Sequence, residues 1–235
     1  MIARRASQPD ETPYVGVSVK VSTCSLPAGD VSVGGDWCEE IALSEHAIAL
    51  TVGDVSGHGE AVAGAMATMR DCVLRTLREV RVPSSVLTVA NEVASNLADG
   101  TLVTAVVAIL DHRRQTLTFA NAGHPPPLLL TREGHTFLER RPADLPLGVF
   151  AQHNAAEYVI ALPLDALLVL YTDGITEHDR DPVRGETELV DAARYAFERP
   201  QLLAARTVAR NVLRKQRGDD DAAALAVRTM PRRRP

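Results

Sequence analysis

Three things are missing from this sequence, and each absence closes a class of function. Cys24, Cys38 and Cys72 form no Cys-x-x-Cys pair, and an odd, scattered set of three excludes a disulfide framework and a structural zinc site. No stretch approaches the roughly 18 uninterrupted apolar residues of a membrane span. The N-terminus carries Arg4 and Arg5 but no apolar segment after them, so it does not read as a secretory signal. There is also no basic stripe through the body of the chain. With a formal charge of −5, nucleic acid is not an expected partner. A cytoplasmic protein is the simplest expectation.

What is present is a well-stocked core. At 46% hydrophobic, the 235 residues suffice for one large domain or two small ones. No repeat or linker divides the chain. Residues 1–13 are polar, contain two prolines and read as a disordered tail. Residues 14–229 read as one domain, and 230–235 as a basic, solvated tail.

Within the domain, Val15, Val17, Val19 and Val21 alternate with small or polar residues, the period of a half-buried strand. Cys24 to Asp30 reads as a loop, and Val31 to Leu43 as a strand bent at Gly34-Gly35. Ala47 to Gly53 is a third strand. After Gly59, Val62, Met66, Met69, Val73 and Leu77 make one helical stripe, and Pro83 opens a second amphipathic helix. Strands are then expected at 102–110, 116–120, 128–130, 136–139, 157–162, 166–171 and 222–227, with late helices near 187–197 and 202–217. Helices in groups among hairpin-linked strands predict an α+β fold with antiparallel sheets, arranged as layers, rather than a doubly wound one.

The Ser44-Glu45-His46 turn carries a geometric expectation. A hairpin centred near Glu45 pairs residues whose numbers sum to about 90, which sets Asp36 opposite Asp54 with Cβ atoms roughly 5 Å apart. Facing carboxylates destabilise a sheet unless a cation lies between them, so a divalent metal is the economical explanation. The alternative is a bulge at Gly34-Gly35 that points the two aspartates apart. Cys38, close to Asp36, is read as a small half-buried residue rather than a reactive thiol.

Asp173 and Asp220 share the setting of Asp36 and Asp54, at strand ends or glycine bends. Four hard oxygen donors without His or Cys pairs favour Mg²⁺ or Mn²⁺ over Zn²⁺. Two such ions about 3.5–4 Å apart can share a carboxylate, activate a water and clamp a phosphoryl group.

Six motifs now stand in one order: Gly34-Gly35-Asp36-Trp37, Gly53-Asp54-Val55-Ser56-Gly57-His58-Gly59, Asn121-Ala122-Gly123-His124-Pro125-Pro126, Pro146-Leu147-Gly148, Leu170-Tyr171-Thr172-Asp173-Gly174 and Asp220-Asp221. The set resembles the bacterial PP2C-like serine phosphatases of the SpoIIE/RsbU type, over roughly residues 15–229. The resemblance implies a four-layer α/β/β/α sandwich of two antiparallel sheets flanked by helices. It also implies two divalent cations, Mn²⁺ or Mg²⁺, at one edge. Asp54 would bridge both ions, the Val55 carbonyl would bind one, Asp36 would hold the second, and Asp173 and Asp220 would complete the first.

By the same resemblance, a water activated by the two ions attacks phosphorus in line. Asp54 and Asp36 carry the reaction, and His58 or His124 protonates the leaving serine oxygen. For either histidine the plainer alternative is a turn residue bonded to backbone. The expected substrate is a phosphorylated anti-sigma factor antagonist of the STAS type, in a stress-response, partner-switching pathway. The competing expectation is a catalytically weak pseudophosphatase that binds a sigma-regulatory partner. With little sequence before the first strand, control is expected from a regulator in trans, from metal availability or from expression. Two departures from the family pattern are visible: Ala223 stands where threonine or serine is usual, and no arginine flanks the Gly-Gly-Asp bend.

Overall fold

The first and last strands of the chain are neighbours. In the computed structural model, β1 (Val17–Leu26) pairs antiparallel with β10 (Ala222–Pro231), Val17 opposite Pro231 and Leu26 opposite Ala222. The structure describes residues 17–28, 34–57, 59–98, 100–138, 144–177, 181–213 and 220–231. The proposed tails at 1–13 and 232–235 lie outside them, as does His58. Met230 and Pro231 belong to β10 rather than to a tail, because Ser18 and Val17 pair with them.

Two five-stranded antiparallel sheets follow. One has the order β1-β10-β9-β6-β7, with β6 Leu128–Leu130, β7 His135–Phe137 and β9 Ala166–Tyr171. The other has the order β2-β3-β4-β5-β8, with β2 Asp36–Ala42, β3 Ala47–Val55, β4 Val103–Asp111, β5 Thr116–Ala122 and β8 Tyr158–Ala161. Helices α1 (Glu60–Glu79) and α2 (Pro83–Ala94) cover the second sheet, and α3 (Pro182–Phe197) and α4 (Ala204–Val212) cover the first. No helix among the described residues is long and apolar enough to cross a membrane.

Three apolar layers hold these four together. Met69, Val73, Leu77 and Leu87 pack on the outer face of the β2–β8 sheet. Leu50, Val106, Phe119, Leu168 and Leu225 fill the space between sheets. Tyr171, Leu189, Val208 and the alanines at 222, 224 and 226 pack under α3 and α4. The unbroken apolar run of β9 is explained by this: even-numbered residues face the inter-sheet core and odd-numbered ones face the helices. On β10 the helix-facing positions are alanine, which lets α4, itself alanine-rich on that side, lie close.

The layered α/β/β/α architecture is the one expected. Helix α3 begins at Pro182, earlier than its apolar period indicates. Asp181 accepts a hydrogen bond from the Arg184 N–H, and Pro182 takes the first-turn position where no donor is needed. Its far end is closed by Arg228 on β10, which donates to the carbonyls of Ala196 and Phe197 at 2.6 and 2.8 Å. β1 runs on to Leu26, through part of the expected loop, because β10 offers partners all along it. The expected helical stretch 214–217 lies outside the described residues.

Candidate functional site

β2 and β3 pair with Asp36 directly opposite Asp54, Trp37 opposite Gly53 and Ala42 opposite Ile48. Gly34-Gly35 does not turn the aspartates apart. The two motifs meet through their neighbours as well: a Cβ on Gly53 would lie 2.2 Å from the Trp37 ring, so only glycine lets the indole cross there. Trp37 is buried and donates its Nε1–H to Thr51 at 3.2 Å, which fixes the strand that presents Asp36.

Asp173 reaches the same edge from the other sheet. β9 ends at Tyr171, and a single 3-10 turn, Asp173–Ile175, presents the carboxylate. Thr172 joins the sheets. Its hydroxyl donates to Asp36 Oδ2 at 2.7 Å and accepts the Ala223 N–H at 2.8 Å, while its own N–H bonds the Ala223 carbonyl. Both main-chain groups of Ala223 are thereby bound by Thr172.

Asp220 and Asp221 play different parts. Asp221 accepts the N–H of Ala28 at 2.7 Å and that of Gly35 at 2.6 Å, which pins the glycine bend. A Cβ on Gly34 would run into this carboxylate at 2.0 Å. Asp220 is exposed and acts electrostatically on Asp54 and Asp173, so its carboxylate is the less committed of the two. The anchoring role of Asp221 was not foreseen from sequence. The signal available was the pairing of two glycines with a double aspartate far down the chain.

The electrostatics are one-sided. Burial pushes the Asp36 carboxyl up to about 9, against the Thr172 hydrogen bond, with Asp54, Asp221 and Asp173 adding to the rise. Asp54 is pushed up to about 7 by burial and the Asp173 charge, and Asp173 is raised by burial and Asp220. The neighbouring charges that weigh most on these three are all carboxylates. Without a cation the facing pair holds a proton between them.

Oxygen donors also converge on one cradle. The position a Cβ would take on Gly35 lies 2.5 Å from the Val55 carbonyl oxygen and 3.5 Å from Asp54 Oδ1. Asp36, Asp54, the Val55 carbonyl, Asp173 and Asp220 are the all-oxygen set suited to Mg²⁺ or Mn²⁺. Among the described residues no three acidic, histidine or cysteine side chains lie close enough together to hold a metal ion. The donor set, all oxygen, is nevertheless of the kind that suits a divalent ion.

His124 is no proton donor to a substrate. It is buried, with Nδ1 bonded to the Thr104 hydroxyl at 2.8 Å and Nε2 to the Tyr171 carbonyl at 3.0 Å. Burial holds it down to about 3, so it is neutral. The plainer reading of this histidine is the observed one. Cys38 is likewise inert: burial lifts its thiol to about 12.

A four-layer sandwich with carboxylates gathered where two sheets meet defines the PP2C class of fold. Consistent with this, the PP2C phosphatase domain of SpoIIE from Bacillus subtilis superimposes with a TM-score of 0.81 at 17% identity, covering 92% of this chain and 65% of that one. The sequence model of the Stage II sporulation protein E (SpoIIE) family matches residues 44–230, and the chain belongs to that family. The phosphoserine phosphatase RsbU of B. subtilis strain 168 is 26% identical over 162 residues, 68% of this chain and 47% of RsbU. The RsbU and RsbW domains of Rv1364c from Mycobacterium tuberculosis align with a TM-score of 0.82 at 26% identity, over 94% of this chain and 62% of that one. The chain thus spans about half the length of the curated relative it matches.

Proposed function

We propose that the domain is a metal-dependent protein serine/threonine phosphatase whose substrate is a phosphorylated anti-sigma factor antagonist. The observation that carries this is the pairing of Asp36 with Asp54 at a buried edge that also receives Asp173. RsbU, a relative named for phosphoserine hydrolysis, and the RsbU and RsbW domains joined in one neighbour support the sigma-regulatory substrate. Such a substrate puts the reaction in the cytoplasm.

Asp54, the Val55 carbonyl, Asp173 and Asp220 would hold one divalent ion, and Asp54 with Asp36 the other. Bound there, the pair supplies Lewis acidity at the phosphoryl oxygens and a water acidic enough to attack near neutral pH. The chain's own contributions are positional. Asp36 and Asp54 give up the proton they share as they become ligands. Thr172 holds one rotamer of Asp36, and Asp221 holds the Gly35 end of the cradle. With His124 locked between Thr104 and Tyr171, His58 is the candidate for protonating the serine oxygen.

The test is release of phosphate from phosphorylated anti-sigma antagonists of the same genome, with Mn²⁺ and with chelator. Turnover that needs Mn²⁺ and disappears in Asp54→Ala supports the reading. Full activity in chelator refutes it.

A further inference from the structure

Next to Asp36 lies a groove of about 290 Å³. Asp36 and Cys38, from one face of β2, and Trp37 and Glu39, from the other, all line it. Side chains from both faces of a strand share a cavity only where it runs along the strand's edge. β2 is the outermost strand of its sheet, so this edge has no sheet neighbour. The remaining walls are α1, through Met66 and Arg70 one turn apart, and the end of β1 and the glycine bend, through Ser25, Pro27 and Gly34. Among the described residues, Arg70 is the one cationic side chain lining the groove.

Arg70 is partly committed. Its Nε donates to Glu39 Oε1 at 2.5 Å, Nη2 turns to the same oxygen, and Nη1 reaches Asp71 at 3.2 Å. Three of the five N–H bonds of a guanidinium are thereby used, leaving two for an incoming anion. Both partners of the pair are about one-third exposed, at 37% and 31%, so a ligand can compete for the guanidinium.

Distance decides which anion. Glu39 is three residues along β2 from Asp36, which is roughly 10 Å in an extended strand. While it stays paired with Glu39, Arg70 is thus set back along the strand from a phosphoryl group seated at Asp36. That spacing matches the third residue away from a phosphoserine whose flanking chain lies extended along β2. The faces agree as well: residues three apart on a strand point to opposite sides, as Asp36 and Glu39 do.

We propose that this groove seats the segment flanking the phosphorylated residue, and that Arg70, released in part from Glu39, selects an acidic side chain three residues from the phosphoserine. The proposal rests on the phosphatase reading, and it assigns sequence preference to an ion pair that sequence inspection passes over.

The test uses phosphoserine peptides in matched pairs, Glu against Lys at the third residue before or after the phosphoserine, assayed with Mn²⁺. For one of the two placements the protein is expected to favour Glu over Lys by about fivefold in kcat/KM, the scale of one half-exposed ion pair. Arg70→Gln should bring the ratio to about 1. Glu39→Gln should raise it above the unaltered protein, because the competing carboxylate is gone. A strut between α1 and β2 would lower both peptides alike and leave the ratio unmoved in both variants, and that result overturns the proposal. So does an unaltered protein that cleaves both peptides equally. If the protein with Mn²⁺ releases phosphate neither from these peptides nor from p-nitrophenyl phosphate, the phosphatase reading itself fails, and the preference falls with it.

Discussion

The Thr172 hydroxyl donates to Asp36 Oδ2 at 2.7 Å, tying the end of β9 in one sheet to the start of β2 in the other. The Thr172 hydroxyl also accepts the Ala223 N–H, so one side chain holds both a proposed ligand and a strand end. Thr172→Val keeps the shape and removes both bonds. It should cost about 1–3 kcal/mol in urea unfolding, because a buried N–H is left unpaired. Mn²⁺ affinity, read by calorimetric titration, should fall about 10–100-fold, the usual effect of losing the partner that orients a ligand. Thr172→Ser should restore affinity. Unchanged Mn²⁺ binding in Thr172→Val would show that Asp36 does not depend on this contact.

Asp36→Asn should move activity and stability in opposite directions. The amide still accepts the Thr172 hydrogen bond but brings no charge to a buried position facing Asp54. Phosphatase turnover should drop at least ~100-fold, more than an orienting contact costs. In chelator at pH 8, however, the variant should be the more stable protein, by on the order of 1–3 kcal/mol, since the cost of protonating and burying this aspartate is gone. Loss of both activity and metal-free stability would mean that Asp36 is a structural residue rather than a ligand.

The pH dependence follows from the same pair. Asp36 and Asp54 bind protons more tightly folded, up to about 9 and about 7, than at the 3.8 of an unperturbed aspartate. The folded chain therefore carries more protons than the unfolded one between these values. Their contribution to stability is full below about 4 and is lost as pH rises through the folded values. In chelator, the urea midpoint of the unaltered protein, measured relative to Asp36→Asn, should fall from pH 5 to pH 9. Saturating Mn²⁺ should remove that decline, because the ion replaces the proton. A relative midpoint that rises with pH in chelator would contradict raised carboxylates at this edge.

Much of the site could be read from sequence because its geometry is local. Asp36 and Asp54 sit on one short hairpin, and a three-residue turn at Glu45 is enough to fix their register. The apolar run from Ala166 to Tyr171 was likewise legible as a strand, ending just short of Asp173. What escaped notice depends on contacts between distant segments. Nothing local indicates that β1 pairs with β10, that Trp37 lies on Gly53 or that Asp221 reaches back to Ala28 and Gly35. Arg70 is similar. On a helix it reads as wet-face charge, and only the packing of α1 against the edge of β2 brings it beside Glu39. For His124 the sequence left two readings open, and only the fold, closing over both ring nitrogens, decides for the structural one.

Asp220 and Asp221 are adjacent and alike, yet their replacement by asparagine should give separable defects. Asp220 is exposed, accepts only the N–H of Asp221 among its described hydrogen bonds, and adds to the field on Asp54 and Asp173. Asp220→Asn should leave the metal-free urea midpoint within about 0.5 kcal/mol of the unaltered protein, as for most surface changes, while Mn²⁺ affinity falls tenfold or more. Asp221 instead anchors two main-chain N–H groups with a charged acceptor, the stronger kind of hydrogen bond. Asp221→Asn should therefore cost about 1–3 kcal/mol of metal-free stability, and weaken Mn²⁺ binding only as the Gly35 bend loosens. Paired urea melts and Mn²⁺ titrations on the two variants decide the register of this motif. If Asp221→Asn abolishes Mn²⁺ binding with the fold intact and Asp220→Asn does not, the ligand is Asp221, and the metal centre must be redrawn one residue along.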